Sequence, residues 1–388
     1  MNETKTKLFT TKNILLVLLT VSIIVTIGII EHQKTAPQNI QKEILAPSEN
    51  NARTILKESK YPKAIELVSP NAYHNTNNLS ITIKENIGKK VIIVDFWTYS
   101  CINCQRTIPY LNEWYKKYED AGLLIIGVQS PEFDFEKDPQ NVEHAIHKFG
   151  IKYPVIQDDN MQTWTAYNNH YWPHKYLIDI DGFIVYDHIG EGGYIETEQV
   201  IQQLLQERQQ VLPSSRNTTT PNSSYNPSNA NSKTIATDLV SDVPLPDFSG
   251  IGTPEIYFGY AFARGQLGNE EDWQPEKIVT YKSTENQKQT NNKFYLEGPW
   301  LNHNDHMEYV GNESQGKISL NYHAHSVNLV AGAETPTTIT ISLDHKEYKT
   351  IIIKNFELYN LINETESDDH LVEITTPAGL MAYTFTFG

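Results

Sequence analysis

Only two of the 388 residues are cysteines, and they stand three apart as Cys101-Ile102-Asn103-Cys104. A secreted disulfide scaffold needs more cysteines at dispersed spacings. A zinc site could take two ligands here but would need two more from elsewhere. What two thiols can do alone is exchange a disulfide. The preceding residues, Val91-Ile92-Ile93-Val94-Asp95-Phe96-Trp97, have the composition of a buried strand, and Cys101 to about Glu119 reads as a helix. Cys101 therefore opens a helix, where unpaired backbone N–H groups and the positive end of the macrodipole favour a thiolate over a free thiol of pKa ~8.5. Thiolate is the attacking species in exchange. Cys104 lies one turn further in, at a Cα separation of ~5–6 Å that permits a disulfide. The expected roles are Cys101 as nucleophile and Cys104 as resolving thiol. No cofactor is expected beyond the redox-active Cys101–Cys104 disulfide. As a static crosslink the pair would stabilise little, because the loop it closes is tiny.

Asp95 sits six residues before Cys101 among Ile, Val, Phe and Trp. Buried there, its carboxyl would have a raised pKa and could accept the proton of Cys104 during resolution; the alternative is a strand-end carboxylate facing solvent. Pro109, five residues after Cys104, should kink the helix and free a carbonyl. His303, Asp305 and His306, with His323 and His325 on a strand, contain metal-ligating types. No complete ligand set is visible, and no metal site is assigned.

The elements that must hold these residues follow the order strand, helix, strand, helix, hairpin, helix. The second apolar strand is Leu123–Val128, a helix covers Asn141–Phe149, and Tyr176–Ile180 and Phe183–Tyr186 flank an Asp181-Gly182 turn. An amphipathic helix, Ile195–Arg208, closes an α/β domain with a mixed sheet over residues 63–208. Residues 209–247, rich in Ser, Thr, Asn and Pro, read as a linker with sequons at Asn217 and Asn222. Residues 248–388 lack a long amphipathic helix. Their short β-branched runs, Lys317–Leu320, Ser326–Val330, Thr338–Leu343, Tyr348–Ile353, Leu371–Thr375 and Met381–Phe387, predict an antiparallel β-sandwich, a jelly roll.

The 17 uncharged residues Ile14–Ile30 follow Lys5, Lys7 and Lys12. As a helix they reach roughly 25 Å, enough for a short membrane span, and the lysines place the N-terminus in the cytoplasm. Residues 1–34 are thus expected to be an uncleaved anchor and 35–62 a stalk, with the domains on the extracytoplasmic side. The formal net charge of −16 sets nucleic-acid binding aside, since a phosphate backbone would repel most of this surface.

Val94-Asp95-Phe96-Trp97 ahead of C-x-x-C, with Pro109 beyond it, resembles the thioredoxin superfamily. Longer stretches, WTYSCINCQRTIPYL, SPEFDFE, YPVIQDD, TWTAYNNHYWPHKYLIDIDG and GEGGYIETE, resemble the DipZ-type branch of the TlpA/ResA thioredoxins. The resemblance implies that Trp172-Pro173 is the cis-proline that packs against the active disulfide, with Trp97 and Trp172 supporting the site. TPEIYFGYAFA, LEGPW, SLDH and AYTFTFG resemble the carbohydrate-binding-like β-sandwich appended to DipZ proteins. Those proteins carry a CcdA-like electron-transfer domain before the thioredoxin part. One helix stands here instead, which implies a separate CcdA-like membrane donor. Exported protein thiols or disulfides are the implied clients, and reduction the implied direction. Two rival readings remain. A peroxiredoxin-like peroxidase has Thr98 three before Cys101 in its favour and Val94 at its proline position against it. A surface glycan- or protein-binding protein would work through the sandwich, with Trp273, Trp300, Tyr257 and Tyr260 either stacking on a glycan or cell-envelope ligand or filling the core.

Overall fold

The computed structural model describes residues 49–77, 79–212, 250–283, 289–312 and 315–388. The apolar run 14–30 and the sequons at Asn217 and Asn222 lie outside the described residues. No helix among the described residues is long and apolar enough to cross a membrane. The segment expected to be a stalk contains a ten-residue helix, α1 (Glu49–Glu58).

The first domain has a six-stranded mixed sheet. In chain order its elements are β1 (Ala72–His74), α2 (Ile83–Asn86), β2 (Val91–Trp97), α3 (Ile102–Tyr118), β3 (Leu123–Gln129), α4 (Pro139–Lys148), β4 (Val155–Gln157), α5 (Gln162–Ala166), β5 (His174–Ile178), β6 (Ile184–Ile189) and α6 (Tyr194–Val211). The strand order is β1-β4-β3-β2-β5-β6, with β2, β3 and β4 parallel and β1, β5 and β6 antiparallel to their neighbours. All seven residues of β2 are buried. Val91, Ile93 and Trp97 join the cluster under α3 and α6, with Leu111, Trp114 and Ile201. Ile92, Val94 and Phe96 join the opposite cluster, with Leu67, Ile83 and Tyr176. Successive residues of a strand point to opposite faces, and here both faces are covered. By that parity Asp95 faces the α3 side, where Cys104 is. Helix α6 extends to Val211, three residues past the expected end at Arg208.

The second domain, residues 250–388, is all β, from β7 (Ile256–Tyr257), β8 (Ile278–Tyr281) and β9 (Phe294–Asn302) through β10 (Met307–Tyr309), β11 (Gly316–Gly332) and β12 (Thr337–Leu343) to β13 (Lys346–Ile353), β14 (Glu357–Thr376) and β15 (Met381–Phe387). The all-β class expected of this segment holds, and its sheet is barrel-like. The strands form one nine-stranded sheet, β13-β12-β14-β11-β15-β10-β9-β8, with β7 on β15. Beside β14, β11 pairs first with β9 and then with β15, and β10 pairs with both, so this part closes like a barrel. Bulges make this possible. The runs Lys317–Leu320 and Ser326–Val330, separate in the sequence reading, belong to one 17-residue strand that shifts register between Ala324 and Ser326. A bulge bends a strand without ending it.

The domains meet through aromatic side chains. Phe133, in the loop after β3, is 1% exposed. Its ring centroid lies 5.2 Å from Tyr383 and 5.8 Å from Phe262, while that of Phe135 lies 4.6 Å from Tyr383. The backbone N–H of Asp134 donates to Asp305 Oδ2 at 3.1 Å, and Lys148 pairs with Glu357 at 2.6 Å.

Candidate active site

Cys101 is the N-cap of α3 in extended backbone (φ −74°, ψ 120°) and Cys104 falls within the first turn. The strand-to-helix transition thus sets one sulfur at the surface and one behind it: Cys101 is half-buried, whereas Cys104 is 1% exposed. Burial, reinforced by the bond to Cys101, pushes the Cys104 thiol well above its ordinary pKa. Pro109 sits inside α3, which continues past it to Tyr118. The Trp172–Pro173 peptide is cis, and the Trp172 carbonyl oxygen lies 4.0 Å from Cys101 Sγ. Trp172 is fixed by an indole N–H bond of 3.0 Å to Ser130 O and by the Trp164 ring at 4.2 Å.

Beneath the cysteines, Asp95 is 1% exposed, and no hydrogen-bond partner for its Oδ1 is found among the described residues. Desolvation pushes its carboxyl up to about 7, and Lys175 acts against that rise. Asp95 and Lys175 are register partners across β2 and β5. Lys175 is fully buried, its Nζ donating to Gly190 O at 3.1 Å, and desolvation lowers its pKa. Trp97, also fully buried, lies on the same face of β2 as Asp95. On the adjacent strand β3, Gly127 leaves room for Trp97 and Tyr153: a Cβ there would stand 2.9 Å from Trp97 Nε1 and 3.2 Å from the Tyr153 ring.

Sequence reasoning missed three features. Lys175 was legible in principle, as a charged residue in a strand whose five residues are all buried. Glu136, 0% exposed, accepts bonds from Ser100 Oγ (2.5 Å), Glu132 N (2.6 Å) and Phe133 N (3.0 Å). It fastens the loop after β3 to the residue preceding Cys101. The third is a carboxyl pair across the domain junction. Tyr257 Oη lies 2.7 Å from Glu132 Oε1 and 2.8 Å from Glu255 Oε2. A phenol has one proton to donate, so the second short contact requires a protonated carboxyl donating to Oη. Consistent with this, desolvation and then Glu255 push Glu132 up to about 8.

A cleft of about 610 Å³ opens over Cys101. One wall is Ser100–Asn103, Tyr171 and Trp172; the other comes from the second domain and includes Glu255, Phe262, Arg264 and Thr386. Of the aromatics considered for sugar stacking, Trp300 is 0% exposed in the core of the second domain, and Tyr257 is 4% exposed at the domain junction. Trp273 is tied by its indole N–H to Phe258 O at 2.8 Å, and Tyr260 bonds Glu276 at 2.9 Å.

Residues 63–187 match the AhpC/TSA family, and residues 253–388 match the family described as "Thioredoxin like C-terminal domain". Protein DipZ of Mycobacterium bovis is 35% identical over 316 residues, covering 80% of this chain and 40% of the DipZ protein. The chain therefore spans less than half the length of that relative. Thiol-disulfide oxidoreductase ResA of Bacillus thuringiensis is 34% identical over 111 residues, 29% of this chain and 61% of ResA. A solved thioredoxin-like protein in its oxidised form is 26% identical, covering 38% of this chain and 97% of its own at a TM-score of 0.35. With the sheet order, the cysteine pair at the start of α3 and the cis Trp172–Pro173 peptide already in place, residues 63–187 form a thioredoxin-like domain of the AhpC/TSA family with homologues in DipZ and ResA.

Proposed function

We propose that the chain is an extracytoplasmic thiol–disulfide oxidoreductase that reduces disulfides of exported proteins through a mixed disulfide. One observation carries this reading: the accessible Cys101 sulfur stands at the helix start beside the Trp172 carbonyl, with the buried Cys104 one turn behind. In the first step the Cys101 thiolate attacks one sulfur of the client disulfide, and the other leaves as a thiolate that takes a proton from solvent. In the second, Cys104 gives its proton to the Asp95 carboxylate and attacks Cys101 Sγ. The second client sulfur leaves as a thiolate that takes a proton from solvent, and Cys101–Cys104 becomes a disulfide. Two electrons have passed to the client, and a dithiol carrier such as a CcdA-like membrane protein must return them. The Trp172 carbonyl, ahead of the cis peptide and beside Cys101, would be the backbone group offered to a bound client strand.

The second domain contributes a wall of the cleft, which supports a role in choosing clients. The burial of Trp300 and Tyr257 leaves a glycan role to Tyr260 and the exposed loops, and a glycan array probed with the whole chain addresses it. A peroxidase would act through Cys101 alone; the resolving thiol directly behind it favours exchange. Reduction of insulin disulfides at the expense of dithiothreitol tests the proposal. Activity is expected in the wild type and absent in Cys101→Ser, while Cys104→Ser should accumulate a mixed disulfide. Consumption of hydrogen peroxide without insulin reduction would overturn it. Protease accessibility in intact and opened cells tests the extracytoplasmic placement.

A further inference from the structure

The turn between β9 and β10 carries the sequence His303-Asn304-Asp305-His306-Met307-Glu308. The backbone bond from His303 N to His306 O, 3.0 Å, closes it. Residues i and i+3 of so tight a turn lie side by side, and the two imidazoles stack with centroids 4.3 Å apart. Glu308, two residues beyond His306 on β10, returns to the same face. One ligand atom from each of His303, His306 and Glu308 lies within 4.8 Å of the others.

The hydrogen bonds indicate which atoms face inward. His306 Nδ1 lies 2.7 Å from Asp305 Oδ1. Its Nε2 is buried, and no hydrogen-bond partner for it is found among the described residues. A neutral imidazole that donates Nδ1–H to a carboxylate presents a bare Nε2 lone pair, the arrangement of a metal-ligating histidine with its supporting carboxylate. His303 differs in that its Nε2 already lies in hydrogen-bond contact with Glu308 Oε2 at 3.4 Å, while its Nδ1 is 3.5 Å from Glu276 Oε2. A tetrahedral ion with bonds of ~2.0–2.1 Å needs its ligand atoms about 3.4 Å apart, the separation His303 and Glu308 already have.

We propose that His303 Nε2, His306 Nε2 and Glu308 form a binding site for a divalent transition-metal ion of the zinc class, with Glu276 and Asp305 orienting the imidazoles and water in the fourth position. The other convergent acidic group, Asp179, Asp181 and Glu207, is filled by the Lys57 ammonium, 2.7 Å from Asp179 and 2.9 Å from Asp181. Among the described residues no such cation enters the histidine site. The site also touches the domain junction. Asp305 holds His306 with Oδ1 and accepts the Asp134 N–H with Oδ2, and the His306 ring lies 4.7 Å from that of Tyr383. An ion here would stiffen the turn that receives the loop after β3, and so the cleft over Cys101.

The test uses the full chain, stripped with chelator and oxidised so that Cys101 and Cys104 cannot contribute ligands. Zinc sulfate is titrated calorimetrically, and retained zinc is measured after gel filtration. One ion per chain is expected, lost in His306→Ala and in Glu308→Gln, weakened about 10- to 100-fold in Asp305→Asn and unchanged in His323→Ala. Cobalt(II) bound to the wild type should give the intense visible bands of four-coordination, a readout that needs no variant to fold. Failure to retain one ion per chain, uptake that survives His303→Ala combined with His306→Ala, or a six-coordinate cobalt spectrum overturns the proposal.

Discussion

Asp95 and Lys175 face each other across β2 and β5, both buried and both on the Cys104 side of the sheet. Cys104 titrates under the influence of Asp95, and Lys175 under that of both Asp95 and Cys104. A carboxyl pushed up to about 7 is matched to proton transfer near neutral pH. Asp95→Asn should therefore prolong the mixed disulfide by about 10²- to 10⁴-fold while leaving its formation by Cys101 unchanged. Quenched-flow measurement of the two steps checks this, and the sign is informative. Were Asp95 only a negative charge disfavouring the Cys104 thiolate, the substitution would speed resolution.

The same burial makes stability depend on pH. Unfolded, an aspartate titrates near 3.9; folded, Asp95 holds its proton to about 7. Between these values the folded state binds the extra proton, so this contribution is fully present below about pH 4 and is lost as pH rises to about 7. Wild type should lose about 1 kcal/mol of stability relative to Asp95→Asn between pH 5 and 6. Urea unfolding of both proteins at the two pH values measures the difference. Parallel behaviour would show that Asp95 is not protonated in the folded state.

Lys175 acts against the desolvation of Asp95. Lys175→Met keeps the apolar stem and removes the charge, so the Asp95 carboxyl should titrate above about 7. The pH midpoint of the resolution step should move upward with it, with the limiting rate at high pH retained. An unmoved midpoint would separate Lys175 from the chemistry and leave it a structural group held by Gly190 O.

The cysteines, the strand and helix that position them, and Asp95 were legible because each rests on local sequence: an apolar run, a helix start, a spacing of three. The cis Trp172–Pro173 site became visible only through family resemblance, since Trp172 lies 68 positions after Cys104. Lys175 and Gly127 depend on which strands neighbour β2, which periodicity does not give. The continuity of β11 was not legible because polar and histidine residues between Leu320 and Ser326 broke the alternation, whereas a bulge carried the strand through. The partnership of Glu132 with Tyr257 and Glu255 joins residues more than 120 positions apart, and no pattern in either segment announces it.

Phe133 tests whether the two domains work as one. Its ring sits among Phe135, Tyr257, Phe262 and Tyr383, three of them in the second domain. Truncating a buried phenylalanine typically costs about 3–5 kcal/mol. Here the loss falls on the junction rather than on either core, because both large clusters exclude Phe133. Phe133→Ala should therefore leave the core amides of β2 and β3 protected from hydrogen exchange while those of Asp134 and Phe135 exchange faster. The cleft would lose its second wall, so activity toward a folded protein disulfide should fall while reaction with a small disulfide such as oxidised glutathione persists. Equal loss toward both substrates would mean that the junction maintains the cysteine pair itself, through Glu136 and Ser100, rather than the choice of client.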